Sequence, residues 1–170
     1  STGKRKMFKI DLEKYRELSK AKRKENKRFY HRLKGLKPKV LDEKFHHLHD
    51  KTFSKIDCLS CANCCKTTGP LFTHSDISRI SKYLGLKSSE FIEKYLREDE
   101  DDDLVLQKTP CHFLEEGNFC SIYDIRPKAC REYPHTDRFK MHQILELTRK
   151  NVEVCPAVYE ITEEIKKDIK

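Results

Sequence analysis

At 170 residues, 38% charged and 36% hydrophobic with no tryptophan, the chain is long enough for one domain with an extension but has a thin apolar core for its length. No apolar run reaches the length of a bilayer span. The formal net charge of +8 is uneven: residues 1–50 carry 17 Lys and Arg against 7 Asp and Glu, and the other 120 carry 19 against 21. The basic excess therefore lies in the N-terminal arm. Ser1-Thr-Gly-Lys-Arg-Lys has no apolar segment behind it and does not read as a secretory signal. A reducing, cytoplasmic setting is the expectation, which favours free thiolates over disulfides.

In chain order, residues 11–34 read as a helix, without internal Pro or Gly and stopped by Gly35 with Pro38 beyond. Leu12, Tyr15 and Leu18, then Phe29, Tyr30 and Leu33, form an apolar stripe interrupted by the polar run Ser19–Arg28. A basic helix of this kind suits RNA or an anionic membrane surface through residues 1–35, and equally a solvated face docked by its apolar residues. A second helix is expected over 41–49, with Leu41, Phe45 and Leu48 on one face. It carries His46, His47 and His49, which read more simply as exposed or capping groups than as ligands. The domain expectation is a basic helical extension over 1–50 and a cysteine-bearing domain over 51–170.

The chemistry sits in the cysteines. None precedes residue 58, and then Cys58-Leu-Ser-Cys61-Ala-Asn-Cys64-Cys65 places four in eight positions. A C-x-x-C pair lets two thiolates converge from a tight turn, and C-x-x-C-x-x-C presents three in the ferredoxin-like manner. Zinc uses the same knuckles in pairs to build a tetrahedral four-thiolate site. Neighbouring Cys64 and Cys65 are expected to point different ways. A disulfide framework would suit a small secreted domain instead.

Beyond Gly69-Pro70, Leu71 and Phe72 look buried. Thr73 or Ser75 caps a helix from about residue 76, with Ile77, Ile80, Tyr83 and Leu84 on one face and Gly85 as its stop. Ser88 or Ser89 caps the next, striped by Phe91, Ile92, Tyr95 and Leu96. The acidic run Glu98–Asp103 lacks calcium-loop spacing and reads as a solvated loop. Residues 104–107 are a strand candidate. So are 110–114 and 119–123, joined through Gly117-Asn118 as a hairpin that would bring Cys111 and Cys120 to one end. Pro127 starts a short helix that delivers Cys130. Arg126 and Arg131 flank that cysteine, and at least one is expected to pair with Asp or Glu. His112 and His135 are hydrogen-bonding groups or alternative ligands. A helix over 138–150 with Phe139, Ile144, Leu145 and Leu147 follows, and Cys155-Pro156 opens the last helix.

Taken together, Cys58–Cys65, Cys111, Cys120 with Tyr123, Arg126-Pro127-x-x-Cys130-Arg131-x-Tyr133-Pro134 and the late Cys155 resemble the CxxCxxCC cysteine-cluster family, the YkgJ-like zinc- or iron-chelating domain often labelled an Fe–S-cluster protein. The resemblance covers about residues 57–156 and leaves the basic arm outside. It implies metal held by Cys58, Cys61, Cys64, Cys65, Cys111, Cys120, Cys130 and Cys155. A related cysteine-rich region occurs in flagellin lysine methylases, but this chain lacks the extra length of such an enzyme.

The metal is expected to be a [4Fe-4S] cluster, with three thiolates from the Cys58–Cys65 stretch and a remote fourth, or zinc in two four-thiolate sites. No Rossmann glycine pattern, P-loop or Ser/His/Asp set appears, so no catalytic motif exists beyond the cysteines. A redox role would need an external partner. The alternative is a structural zinc module whose basic N-terminal helix docks on RNA, a ribosome or another macromolecule. The fold expected is α+β and mostly α: about six helices with a small two- or three-stranded antiparallel sheet around a cysteine-ligated metal centre.

Overall fold

The apolar stripes of the N-terminal arm fold as three helices: α1 (Leu12–Ala21), α2 (Arg23–Leu33) and α3 (Pro38–Phe53). The computed structural model describes residues 10–169; the first nine residues, with the basic Lys4, Arg5 and Lys6, and Lys170 lie outside the described residues. The helix expected over 11–34 is thus two, parted at Lys22 (φ −93°, ψ 7°). The parting costs little hydrogen bonding. Lys22 N–H still donates to the Leu18 carbonyl at 3.1 Å, and Asn26 N–H donates to the Lys22 carbonyl at 2.8 Å.

The chain divides into two units, one made of residues up to Cys61 together with those from Pro134 onward, the other Ala62–Tyr133. The first unit adds the single turn α4 (Cys58–Cys61), α9 (Leu145–Asn151) and α10 (Pro156–Asp168). Its core joins Phe29, Tyr30 and Leu33 of α2, Leu41 and Phe45 of α3, and Ile161 and Ile165 of α10. Pro38 and Pro156 each occupy a first helical turn, where a missing N–H costs nothing. The helix expected over 138–150 begins as α only at Leu145, because Lys140 adopts a left-handed backbone (φ 63°) and a 3-10 turn, Met141–Ile144, follows. Buried Asp42 secures that turn by accepting the Lys140 and Met141 N–H groups at 3.0 and 2.8 Å. Phe139, expected in the apolar stripe, is 74% exposed.

The second unit contains α5 (Asn63–Thr67), α6 (His74–Tyr83), α7 (Ser88–Tyr95), β1 (Leu96–Glu98), β2 (Leu104–Leu106) and α8 (Lys128–Glu132). Thr73 caps α6 in a full capping box with Asp76. At α7 the cap is Lys87, whose N–H donates to Glu90 at 2.8 Å, rather than Ser88 or Ser89. The strands pair antiparallel, Leu96 opposite Leu106 and Glu98 opposite Leu104. The partner of the 104–106 strand is therefore the segment before the acidic run. Asp99 makes the intervening turn by accepting the N–H groups of Asp101 and Asp103 at 2.9 and 3.0 Å. The expected 110–114/119–123 hairpin is reduced to one isolated bridge, Leu114 with Cys120, and the flanking residues form 3-10 turns at Glu116–Asn118 and Tyr123–Ile125. This unit's core is Phe72, Ile77, Ile80, Phe91, Leu96, Leu106, Phe113 and Ile122, with Phe91 stacked on Phe113 (6.3 Å, 9°). Leu71, expected to be buried, is 39% exposed.

The fold is mostly α with a small two-stranded antiparallel sheet among the described residues. No helix among them is long and apolar enough to cross a membrane.

Candidate metal centre

All eight cysteines are described residues and none is in a disulfide. Cys58 and Cys61 bound the single turn α4, where Cys61 N–H donates to the Asp57 carbonyl at 3.2 Å. Cys58 is exposed and Cys61 is buried. Ala62 takes a left-handed backbone (φ 47°) that reverses the chain into α5, which carries Cys64 and Cys65. The Thr68 N–H and hydroxyl both donate to the Cys64 carbonyl, at 2.8 and 2.6 Å, and close that turn.

Cys64 and Cys65 do not point apart. A side-chain hydrogen bond from the Cys64 thiol is the main reason that the Cys65 thiol falls to about 7; burial opposes it, and Lys66 adds a favourable charge. The Cys65 carbonyl accepts the Cys111 N–H at 2.7 Å, so two cysteines 46 positions apart are joined through their backbones. Leu114 N–H donates to the Cys111 carbonyl at 3.1 Å, and Leu114 bridges Cys120 across the Gly117 turn (φ 77°). Three separate stretches of chain are thereby interlocked at their cysteines.

The sulfurs share a pattern. Burial pushes the Cys111 thiol up, while the N–H groups of Phe113 and Leu114 aim at its sulfur and pull it down. Burial likewise raises Cys120, against the Ile122 N–H. At Cys155, which precedes the first turn of α10, burial pushes the thiol up to about 12 against the N–H groups of Val158 and Ala157. In each case the amides two or three residues ahead face the sulfur. Burial also takes Cys130, in α8, to about 12; Cys65, Cys111 and Cys120 add to that rise, and Arg126 opposes it.

By unit, Cys64, Cys65, Cys111, Cys120 and Cys130 belong to Ala62–Tyr133, and Cys58, Cys61 and Cys155 to the other. The thiols that act on Cys155 are Cys58 and Cys61. Among the described residues, no three or more His, Cys, Asp or Glu side chains stand grouped so as to hold an ion. The donor chemistry does suit a metal: buried, reduced sulfurs faced by amide dipoles, which favour thiolates once a cation is present.

His46, His49 and His112 are engaged by other contacts. His46 Nε2 is 2.7 Å from the Arg138 carbonyl, and His49 Nδ1 is 2.7 Å from the Thr136 hydroxyl. His112 meets the Tyr95 ring edge-on at 5.5 Å. Among the described residues neither Arg126 nor Arg131 reaches a carboxylate. Arg126 instead stacks on the Tyr123 ring at 4.0 Å and donates to the Tyr123 carbonyl at 2.7 Å.

The residues that sequence reasoning missed are Asp76 and Arg79. Asp76 accepts N–H groups from Thr73 (2.9 Å), Arg79 (2.9 Å) and Lys128 (3.2 Å). Arg79 also donates to the carbonyls of Ile125 and Arg126 at 3.1 and 3.0 Å. Together they anchor the segment that enters α8 and so position Cys130. The capping-box spacing Thr73-x-x-Asp76 and an Arg one turn later were the available signals.

No solved structure matches the chain. The family comparison matches residues 57–156, the span from just before Cys58 to just after Cys155, to CxxCxxCC, described as a putative zinc- or iron-chelating domain. With well over half of its length matched and all eight cysteines inside the match, the chain belongs to the CxxCxxCC family.

Proposed function

We propose that the protein binds metal through its cysteines and works as an iron–sulfur protein in electron transfer, with a redox partner outside the chain. The repeated environment of Cys111, Cys120 and Cys155 carries this reading. Amide dipoles aimed at a sulfur stabilise a thiolate, yet burial still keeps these thiols protonated. A bound cation supplies the missing positive charge and displaces the protons. The Cys58-x-x-Cys61-x-x-Cys64 run favours a cluster over zinc. Such a cluster supplies one-electron chemistry; the chain's part is to hold it, to bury the sulfurs and to offset their charge with Lys66 beside Cys65 and Arg126 beside Cys120 and Cys130.

The test is metal analysis with a visible spectrum on protein purified without oxygen. The expected sample is brown and bleached by dithionite. A colourless sample with about two zinc per chain, the number that eight thiolates fill at four each, would replace the cluster with structural zinc. A folded sample without metal would end the metal-binding reading.

A second reading, a structural zinc module docked on RNA by its basic arm, is favoured by one observation. At and just after the α1–α2 junction, Lys22, Arg23 and Glu25 pair with Glu163, Glu153 and Lys166. Exposed Lys20, Lys24, Lys27 and Arg28 make no ion pair among the described residues. Charge reversal of Lys24, Lys27 and Arg28 is expected to abolish RNA binding that weakens with salt. Absent or salt-insensitive RNA binding by the wild-type chain rejects this reading.

A further inference from the structure

We propose that Phe139 is a base-stacking finger for single-stranded RNA, presented between the cations Arg138 and Lys140 on a loop that α3 holds in place. The inference rests on the RNA-docking reading, extends it to a second stretch of the same unit, and does not depend on metal. Among the described residues Phe139 is the most exposed large apolar side chain, at 74%. Its backbone is nonetheless fastened on both sides. Asp42, His46 and His49 lie at helical spacing along one face of α3, and each holds the segment 136–141. Asp42 accepts the Lys140 and Met141 N–H groups at 3.0 and 2.8 Å. His46 Nε2 lies 2.7 Å from the Arg138 carbonyl, and His49 Nδ1 lies 2.7 Å from the hydroxyl of fully buried Thr136. Lys140 takes a left-handed backbone (φ 63°), unfavourable for an L side chain, and these bonds hold it there. The fold thus fixes in solvent an aromatic ring that burial does not reward.

The charge around the ring is positive. The Lys140 ammonium lies 5.8 Å from the centre of the Phe139 ring, and the exposed Arg138 guanidinium donates to the Gln143 side chain at 3.2 Å. The neighbouring carboxylate, Asp137, is 3.8 Å from His49 Nε2, and Asp42 is buried under its two N–H donors. An aromatic face flanked by cations takes a base by stacking and its phosphates by charge. Exposed Lys20, Lys24, Lys27 and Arg28 of the same unit present the same sign to a polyanion. One ring beside exposed Asp137, His142 and Gln143 offers little to a bilayer, where binding grows with buried apolar area.

The chain has no tryptophan, so Phe139→Trp places a single fluorescent reporter at the tip, and the exposed position leaves the core untouched. The full chain is titrated with a short single-stranded oligouridylate. Its bases are expected to quench the Phe139→Trp emission by stacking on the indole. The same strand paired with oligoadenylate is expected to quench far less, because its bases are already stacked inside the duplex. Phe139→Ala should weaken oligouridylate binding about tenfold, within the range of one stacked base, and leave the salt dependence unchanged. Arg138→Gln should instead flatten the dependence of log affinity on log salt by about 0.7, one phosphate's share on a single strand. If wild type binds oligouridylate but Phe139→Ala binds as tightly and Phe139→Trp is not quenched, the proposal falls and the RNA-docking reading stands. A blue shift of the Phe139→Trp emission on phosphatidylglycerol vesicles, without quenching by oligouridylate, gives the tip to a membrane and also overturns the proposal. A wild-type chain that binds no oligouridylate rejects the RNA-docking reading itself.

Discussion

Asp76 is 1% exposed and accepts three N–H donors, two from its own helix and its cap and one from α8. Burial by itself pushes its carboxyl up. The Thr73 N–H, the Arg79 guanidinium and the Lys128 N–H outweigh that and hold it below the ordinary carboxylate range. A carboxylate so depressed stabilises the fold at every pH above its unfolded value, about 3.9, and the contribution is lost as pH falls through the lower folded value. Asp76→Ala leaves Arg79 facing a partly buried gap and is expected to cost about 3 kcal/mol in urea unfolding at pH 7. The wild-type urea midpoint should fall more steeply below about pH 4 than that of Asp76→Asn. At this scale the sequence was half legible. Thr73-x-x-Asp76 announces a cap, but the bond to Lys128, 52 positions away, exists only because the chain folds back, and no local pattern encodes that return.

Among elements, burial decides which expectations hold. The helices α3, α6, α7 and α10 follow from apolar spacing, and the Thr73 cap of α6 survives packing. Phe91, 0% exposed on α7, touches Phe72, Tyr95 and Phe113, and Phe91→Ala is expected to cost about 4 kcal/mol in the same measurement. Tyr30 on α2 shares a 2.8 Å hydrogen bond with Thr162 on α10 in a fully buried setting. Tyr30→Phe should cost about 1 kcal/mol, since Thr162 still donates to the Val158 carbonyl at 2.7 Å. The sheet was misread for a physical reason. The acidic run has no Gly or Pro, yet Asp99 mimics a backbone turn with its side chain and Asp102 accepts φ 60°, so a hairpin forms where composition suggests solvated coil. The Gly117-Asn118 turn looked stronger, but it lies within a 3-10 turn, and the segments on either side sustain a single bridge.

Over the whole molecule, each unit closes its own small apolar core, and the stretch 107–127 has no α-helix or paired strand of its own. Such a stretch depends on cross-links more than on secondary structure. Chelation of the reduced, metal-loaded protein is therefore expected to release amide-exchange protection first in 107–127, with α3 and α10 releasing later. Uniform loss across the chain would show that metal supports both cores alike. The cysteine series was legible because thiol spacing survives any fold; its distribution between units was not, since it depends on where Cys61 and Ala62 part.

The first unit's discontinuity bears on how the protein is made. Helices α1–α3 leave the ribosome early, but Phe29, Tyr30 and Phe45 have no α10 to pack against until the chain from Pro156 onward emerges. Ala62–Tyr133 is contiguous and finishes sooner, with its five cysteines already in place. In vectorial synthesis the middle of the chain can thus close its own core while the earliest helices still wait for their partner.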